Sequence, residues 1–85
     1  MINTEEICRK RLRYRSWHRG CKETDLLLGR FADEKLAVLP PVQLAAYERL
    51  LEESDADIWD WINGHDAPEE YAELLESLKC LVPGA

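Results

Sequence analysis

The sequence lacks any apolar run near the length of about 20 residues that a membrane-spanning helix needs. It has only three cysteines, Cys8, Cys21 and Cys80. An odd count without a secretory signal pattern predicts reduced thiols and no disulfide framework. The cysteines form no close pair and the two histidines are not at helical spacing. We therefore expect neither a membrane span nor a bound metal ion.

Glycine is scarce, with four residues, and no glycine-rich phosphate loop, internal repeat or low-complexity segment is present. A chain of 85 residues suits one domain, 1–85, with a small core that buries roughly 60–65% of the unfolded surface. No strand pattern is evident, and a dinucleotide-binding unit has no room. We therefore expect the protein not to be an enzyme.

Charge is strongly segregated along the chain, although the net charge is only −6. Most of the positive charge precedes residue 23, at Arg9, Lys10, Arg11, Arg13, Arg15, Arg19 and Lys22. Between residues 48 and 76 the chain is acidic, and Arg49 is its one cation. This pattern predicts a basic face and an acidic face. It favours contact with a macromolecule over turnover of a small molecule.

Apolar residues at helical spacing, interrupted by glycine, proline and capping residues, predict an all-α fold. We expect helices from Asn3 or Thr4 to between Trp17 and Arg19, from Glu23 to Leu39, from Pro41 to Glu53, from Ala56 to Asn63, and from Ala67 to Val82. Ser54-Asp55 is expected to provide the cap of the fourth helix, and Gly64 is expected to end it. Short helices with short connections predict a compact bundle of about five helices.

The apolar patterns of individual helices also predict how they pack. The first helix has a thin apolar stripe, so we expect it to be peripheral and lightly packed. The second is the most apolar and is expected to be central. Gly29 lowers its helix propensity by about 1 kcal/mol relative to alanine, which favours close approach by another helix there.

Two further packing predictions concern the third and fourth helices. Val42, Ala46 and Leu50 are expected to form one of two adjoining apolar rows on the third helix. Trp61 is expected to face the core of the bundle, whereas Trp59 points elsewhere.

The link between the first two helices has the form R-G-x-x-E, with Arg19, Gly20 and Glu23 in the fixed positions. Gly20 favours a turn that brings the two charged side chains to one corner. Spacing alone equally suits a structural turn, with Gly20 as a helix C-cap and Glu23 compensating a helix dipole. Cys21 beside His18 could form a thiol nucleophile, but no orienting group or oxyanion pattern accompanies them.

The basic first helix leaves three interpretations open. Tyr14 and Trp17 alternate with Arg13 and Arg15, which suits base stacking combined with phosphate contacts. The acidic isoelectric point, near 4.8, argues against nucleic-acid binding. A solvated basic face and a face that docks on a protein are the alternatives.

The chain as a whole resembles the succinate dehydrogenase assembly factor family that promotes flavinylation, whose hallmark is R-G-x-x-E between the first two helices. The matching residues are Tyr14-Arg15-Ser16, Arg19-Gly20, Glu23, Asp25, Leu27-Leu28, Phe31-Ala32, the Tyr47–Glu52 helix, Asp55-Ala56-Asp57 and Ile58–Gly64. The resemblance covers about residues 7–79. The motif alone would be weak, but its combination with the order of elements and the tryptophan turn is specific.

This resemblance implies an antiparallel five-helix bundle that acts as a chaperone-like assembly factor. The implied partner is the flavoprotein subunit of succinate dehydrogenase, with the related fumarate reductase subunit as a further candidate. The implied outcome is covalent attachment of FAD to a histidine of that subunit. The factor itself would bind no cofactor stably and would act on the FAD of its partner. The implied partner-binding residues are Arg19, Gly20, Glu23, Arg15 and His18.

The runner-up hypothesis is a nucleic-acid-binding or antitoxin-like regulator that uses the basic first helix, and an enzyme that uses Cys21 ranks third. Under the leading hypothesis we expect a monomer that contacts neither nucleic acid nor a membrane. No transit-peptide pattern is visible at the first residues, which favours a cytoplasmic location.

Overall fold

A computed structural model describes the backbone of residues 4–81 and the side chains of residues 6–81. Five α-helices follow one another in this part of the chain: α1 Thr4–Trp17, α2 Lys22–Lys35, α3 Pro41–Leu50, α4 Asp55–Ile62 and α5 Ala72–Lys79. Single turns of 3₁₀ helix, Leu36–Val38 and Glu69–Tyr71, follow α2 and precede α5. No strand occurs between residues 4 and 81, so the predicted all-α bundle of five short helices is confirmed.

The helix boundaries follow from local chemistry. Pro41 occupies the first turn of α3, where its missing N–H costs nothing. Ser54 caps α4, and its hydroxyl accepts a hydrogen bond from the Asp57 backbone N–H at 3.1 Å. Gly64 follows α4 with φ +101°, a left-handed conformation that suits glycine. The predicted start at Asn3 and end at Val82 lie outside the described residues.

The core lies between α2 and the other helices, and α2 contacts α1, α4 and α5. Its buried apolar side chains are Leu12, Leu27, Leu28, Phe31, Ala32, Leu36, Leu44, Ala46, Tyr47, Leu50, Leu51, Ile58, Ile62, Tyr71, Leu74, Leu75 and Leu78. The central position predicted for the second helix is thus confirmed. Trp61 is half-buried against the Tyr71 ring, with ring centroids 5.8 Å apart, whereas Trp59 is exposed.

Gly29 of α2 packs against the side chain of Trp17, the last residue of α1. A Cβ built at this glycine would lie 2.2 to 2.6 Å from atoms of the Trp17 indole, so no larger residue fits without movement of the ring. The close approach predicted from this glycine is confirmed, and the side chain of Trp17 provides it.

Three packing predictions are wrong. The second α-helix ends at Lys35 instead of Leu39, because Leu39 precedes Pro40 and adopts the extended conformation that proline imposes on its neighbour. Val42 is 78% exposed, since it lies in the first turn of α3, before the apolar face meets the core. The first helix is not lightly packed, because Leu12 and Ser16 are buried where α1 lies along α2.

Among the helices described, none combines the length and the apolar character that crossing a membrane requires.

Candidate functional site: the corner between the first two helices

The chain turns sharply at Gly20, between the end of α1 and the start of α2. Gly20 has φ +98°, a left-handed conformation that costs a residue with a Cβ roughly 1–2 kcal/mol. A Cβ at this position would meet no atom within 4 Å. The glycine is therefore required by its backbone conformation and not by internal crowding, and its outer face is open. The predicted turn is confirmed.

Arg19 does not extend from this corner into solvent; its side chain is directed into the junction between α3 and α4. Its Nε donates to Asp55 Oδ1 at 2.5 Å, and the ion pair leaves only 11% of the arginine side chain exposed. Its two terminal nitrogens donate to the backbone carbonyls of Leu51 at 2.7 Å and Glu53 at 2.5 Å. One guanidinium thus binds two backbone carbonyls of the turn that follows α3.

Neighbouring residues of α2 complete the same network. The Asp25 carboxylate accepts a hydrogen bond from the Arg19 backbone N–H at 2.7 Å. The buried Thr24 hydroxyl lies 3.1 Å from Asp55 Oδ1 and 3.2 Å from the Cys21 carbonyl, and it can donate to either. Both the backbone and the side chain of Arg19 are therefore fixed. The corner is attached to α2 and to the start of α4.

The outer side of the corner is exposed. Glu23 projects from the first turn of α2 into solvent, and its carboxylate accepts a hydrogen bond from the Cys21 thiol at 3.4 Å. It forms no ion pair with any residue from 6 to 81, Arg19 included. The expected grouping of two displayed charges therefore does not occur, because Arg19 turns inward while Glu23 remains outside.

His18 stacks on Tyr14 just before the corner. The two ring centroids are 4.0 Å apart and the ring planes differ by 16°. His18 Nδ1 lies 2.8 Å from the Tyr14 carbonyl oxygen; because a carbonyl only accepts, Nδ1 carries the proton. Arg15 lies beside this stack and pairs with Glu52 at 2.8 Å. His18 is exposed and Arg15 partly so, and both precede Gly20 along the chain.

Beneath the corner a buried hydrogen-bond chain links α1 to α3. The Tyr47 hydroxyl lies 2.5 Å from Ser16 Oγ, which donates to the Leu12 carbonyl at 2.7 Å. Burial raises the pKa of Tyr47 to about 12, against a smaller lowering by the Ser16 hydrogen bond and the charges of Arg19 and Arg15. Burial also raises the pKa of Tyr71, with the carboxylates of Glu53 and Glu70 adding to the effect.

Three of the cations of the basic first helix contact other parts of the bundle. Arg9 donates to the backbone carbonyls of Leu36 and Leu39, the latter at 3.0 Å. Arg13 pairs with Asp33 at 2.9 Å, and Arg15 is held by Glu52. These contacts anchor α1 on α2 and on the end of α3, which removes much of the charge expected for phosphate binding.

The geometry does not assemble a cysteine nucleophile. The Cys21 thiol contacts Glu23, whereas the His18 ring nitrogen that bonds is directed to the Tyr14 carbonyl. No group of three or more metal-ligating side chains is found among the described residues. Within the described residues, the corner therefore shows neither a nucleophile nor a metal site. Its chemical features are its shape, its exposed side chains and their charge.

Sequence reasoning missed Asp55, Thr24 and Asp25 as members of the site. The Asp55 turn is part of the family resemblance, but the resemblance implies no role for the Asp55 side chain. A sequence signal for Asp55 exists in the Ser54 cap, which brings the start of α4 close to the end of α3. Nothing in the sequence marks the carbonyls of Leu51 and Glu53 as ligands of an arginine.

Fold and site together define a class: a small all-α protein with a glycine turn whose R-G-x-x-E motif has an inward-directed arginine and an exposed glutamate. A profile of the family described as "Flavinator of succinate dehydrogenase" matches residues 10–82. The chain belongs to this family, as the sequence resemblance predicted.

Curated relatives agree with this assignment. Three of them, each named "Succinate dehydrogenase assembly factor 2, mitochondrial", are the proteins of Schizosaccharomyces japonicus, Dictyostelium discoideum and Aspergillus terreus. The first is 43% identical over 79 residues, covering 89% of this chain and 55% of the relative. The second is 44% identical over 77 residues, covering 88% and 55%. The third is 52% identical over 62 residues, covering 73% and 21%. The chain thus spans about half the length of these relatives, or less.

The comparison corrects the prediction of a cytoplasmic location. These relatives are named as mitochondrial proteins. The prediction rested on the first residues of the chain, which are a poor guide in a sequence that spans only part of its relatives. The prediction was therefore wrong.

Proposed function

We propose that this chain is an assembly factor that binds the flavoprotein subunit of succinate dehydrogenase and promotes covalent attachment of FAD to it. The observation that carries the proposal is the open side of the corner. There the exposed Glu23 lies next to the unobstructed face of Gly20. Membership of the flavinator family supports this partner and this outcome.

In this proposal, each residue of the corner has a different role. Glu23 and His18 are exposed and can contact the partner directly. The open face of Gly20 lets the partner's backbone approach closely. Arg15 is half-exposed beside them and can bind a partner carboxylate in exchange for Glu52. Arg19 contributes by holding these groups in place from within, because its own donors are occupied.

The proposed mechanism needs no catalytic group and no stably bound cofactor in this chain. The bond forms between a histidine of the partner and its FAD. Holding the domains of the flavoprotein in one arrangement would align these two groups, and such positioning can contribute several kcal/mol to a rate. The related fumarate reductase subunit would be served in the same way.

Co-expression with a succinate dehydrogenase flavoprotein subunit tests the proposal, with protein-bound flavin fluorescence measured in a denaturing gel. Glu23→Ala should reduce the signal strongly while the purified variant keeps its helical circular dichroism. Gly20→Arg should reduce it too, because its side chain would fill the open face. Glu34→Ala is the matched control: Glu34 is an equally exposed glutamate on the same helix and should leave the signal unchanged.

Full flavinylation by both corner variants would refute the role of this corner. Full flavinylation without any copy of the chain would refute the assembly function itself.

The nucleic-acid alternative is not retained as a second proposal. Arg9 is bound to backbone carbonyls and Arg13 and Arg15 form surface ion pairs with Asp33 and Glu52, and the net charge of −6 opposes approach of a polyanion.

A further inference from the structure

The outer side of α1 carries a second surface that the corner does not include. Ile7, Arg11 and Tyr14 follow one another at spacings of four and three residues, which places them in one row along the helix, and His18, one residue past its end, extends the row by stacking on Tyr14. All four are exposed, with Tyr14 at 65% and Ile7 at 38%. We call this row the α1 stripe. It faces away from the side of α1 that buries Leu12 and Ser16.

The positive charge beside the α1 stripe is available for binding. Lys10 and Arg11 are exposed, and neither side chain forms an ion pair or hydrogen bond with any of residues 6–81. Arg13 and Arg15, by contrast, are paired with Asp33 and Glu52. Lys10 and Arg11 are therefore the cations that a docked carboxylate would reach without displacing an existing ion-pair partner.

The aromatic part of the stripe is already ordered. The Tyr14 and His18 rings stack at 4.0 Å, and the bond from His18 Nδ1 to the Tyr14 carbonyl fixes the histidine ring. A partner that docks on them would lose little side-chain entropy, which favours binding. Tyrosine is also among the residues that most often carry binding energy at protein interfaces.

A shallow groove along the stripe has mainly apolar walls, formed by Ile7, Lys10, Arg11, Tyr14 and Arg15. It suits protruding side chains of another polypeptide better than an enclosed small molecule. Apolar walls with two unpaired cations call for a partner that presents both apolar groups and carboxylates. A nucleic acid would need a longer array of free cations than this face provides.

We propose that the α1 stripe docks an acidic segment of the flavoprotein partner that also carries an apolar side chain. His18 adjoins Arg19 and Gly20, so this surface continues the corner along α1 and the two would meet one partner. The inference rests on the proposed function for the identity of that partner. Beyond the proposed function, the inference states where the partner's acidic segment binds and which residues of this chain recognise it.

Binding of the purified chain to the purified, FAD-loaded flavoprotein subunit tests this inference, with Kd measured by calorimetry at low and at moderate salt. Tyr14→Ala and Arg11→Glu should each weaken binding about tenfold or more. Tyr14→Phe keeps the ring stack and should bind within about twofold of wild type. Arg11→Glu should also flatten the salt dependence, because one charge attraction is lost.

Arg30→Glu is the matched control for Arg11→Glu. Arg30 is exposed on α2 and likewise makes no ion pair within residues 6–81, so its reversal changes the net charge equally. It should bind within about threefold of wild type if the α1 stripe, and not total charge, recruits the partner. Equal loss in both reversals would overturn the inference, as would wild-type binding by Tyr14→Ala and Arg11→Glu.

The failures of the two proposals are distinguishable. If the stripe variants bind normally while Glu23→Ala binds weakly, the corner stands and the stripe proposal fails. If the wild-type chain does not bind the subunit, both fail. Binding of a mixed-sequence DNA duplex or RNA strand that depends on Tyr14, with no effect of Tyr14 on subunit binding, would assign the stripe to nucleic acid and overturn the inference.

Discussion

The two sides of the corner differ sharply, although their charged residues are four apart in the same short motif. On the inner side Arg19 donates three side-chain hydrogen bonds to Asp55, Leu51 and Glu53. On the outer side Glu23 accepts one hydrogen bond, from a thiol, and faces solvent. This difference shows that one sequence motif can combine a residue that holds the fold together, Arg19, with a residue that is exposed at the surface, Glu23. Mutations should therefore separate stability from docking.

The largest expected effect comes from the inner side. Arg19→Ala leaves the Asp55 carboxylate and two carbonyls without their donor, which should lower the free energy of unfolding by about 3 kcal/mol. Urea denaturation followed by circular dichroism measures it. Arg30→Ala removes an exposed arginine from α2 and should change stability by less than about 0.5 kcal/mol. Equal small losses in the two variants would show that the inner network is dispensable.

A second test uses pH and the chain of hydroxyls under the corner. The pKa of Tyr47 is about 12 in the folded protein against 10.0 for an ordinary tyrosine. Between these values the unfolded chain loses a proton that the folded chain keeps, so stability falls as pH rises. The loss should be on the order of 2–3 kcal/mol between pH 10 and pH 12, and it should be absent below pH 10.

Urea unfolding at several alkaline pH values measures this decline. Tyr47→Phe should remove most of it, and the raised pKa of Tyr71 accounts for a remainder. Tyr14→Phe changes an exposed ring and should retain the full decline. An unchanged slope in Tyr47→Phe would mean that another group controls the alkaline behaviour.

Two glycines test whether space or backbone conformation matters at each position. Gly29→Ala forces a methyl group into the Trp17 indole and should cost about 2 kcal/mol by overpacking. Gly20→Ala meets no atom but must adopt φ +98°, at a cost of about 1 kcal/mol. Thermal unfolding of both variants ranks them. The reverse order would show that Trp17 moves aside easily.

The smallest effect on stability should come from the outer side. Glu23→Ala should shift the free energy of unfolding by less than about 0.5 kcal/mol, because its carboxylate is exposed and unpaired within residues 6–81. The same variant is expected to lose flavinylation, so its thermal unfolding and its activity should disagree. A large loss of stability in Glu23→Ala would show that Glu23 also supports the fold, as Arg19 does.

Most of the fold could be predicted from the sequence because its boundaries are set by local residues. Pro41, Ser54 and Gly64 act within one turn of their positions, and each ends or begins a helix as predicted. The errors in predicted helix boundaries arose where an apolar pattern continues into residues whose conformation is set by the residue that follows. Leu39 continues an apolar pattern, but the following proline holds it in an extended conformation.

The candidate site could be located from the sequence but not resolved into its two sides. Gly20 marks the turn, but the first turn of α2 contains both the exposed Glu23 and the buried Thr24, so position alone does not predict exposure. The inward direction of Arg19 depends on acceptors that lie 32 to 36 residues further along the chain. Two of these acceptors are backbone carbonyls. Because every residue has a carbonyl, no residue type in the sequence identifies these two as partners of Arg19.

The bonds from Arg19 to Leu51, Glu53 and Asp55 also set an order of events during synthesis. The glycine bend and its glutamate leave the ribosome early, but the arginine has no ligands until the residues after α3 have followed. A nascent or truncated chain therefore displays the motif without the geometry. Under the proposed function, only a chain that has been synthesised beyond Asp55 could present the completed corner to its partner.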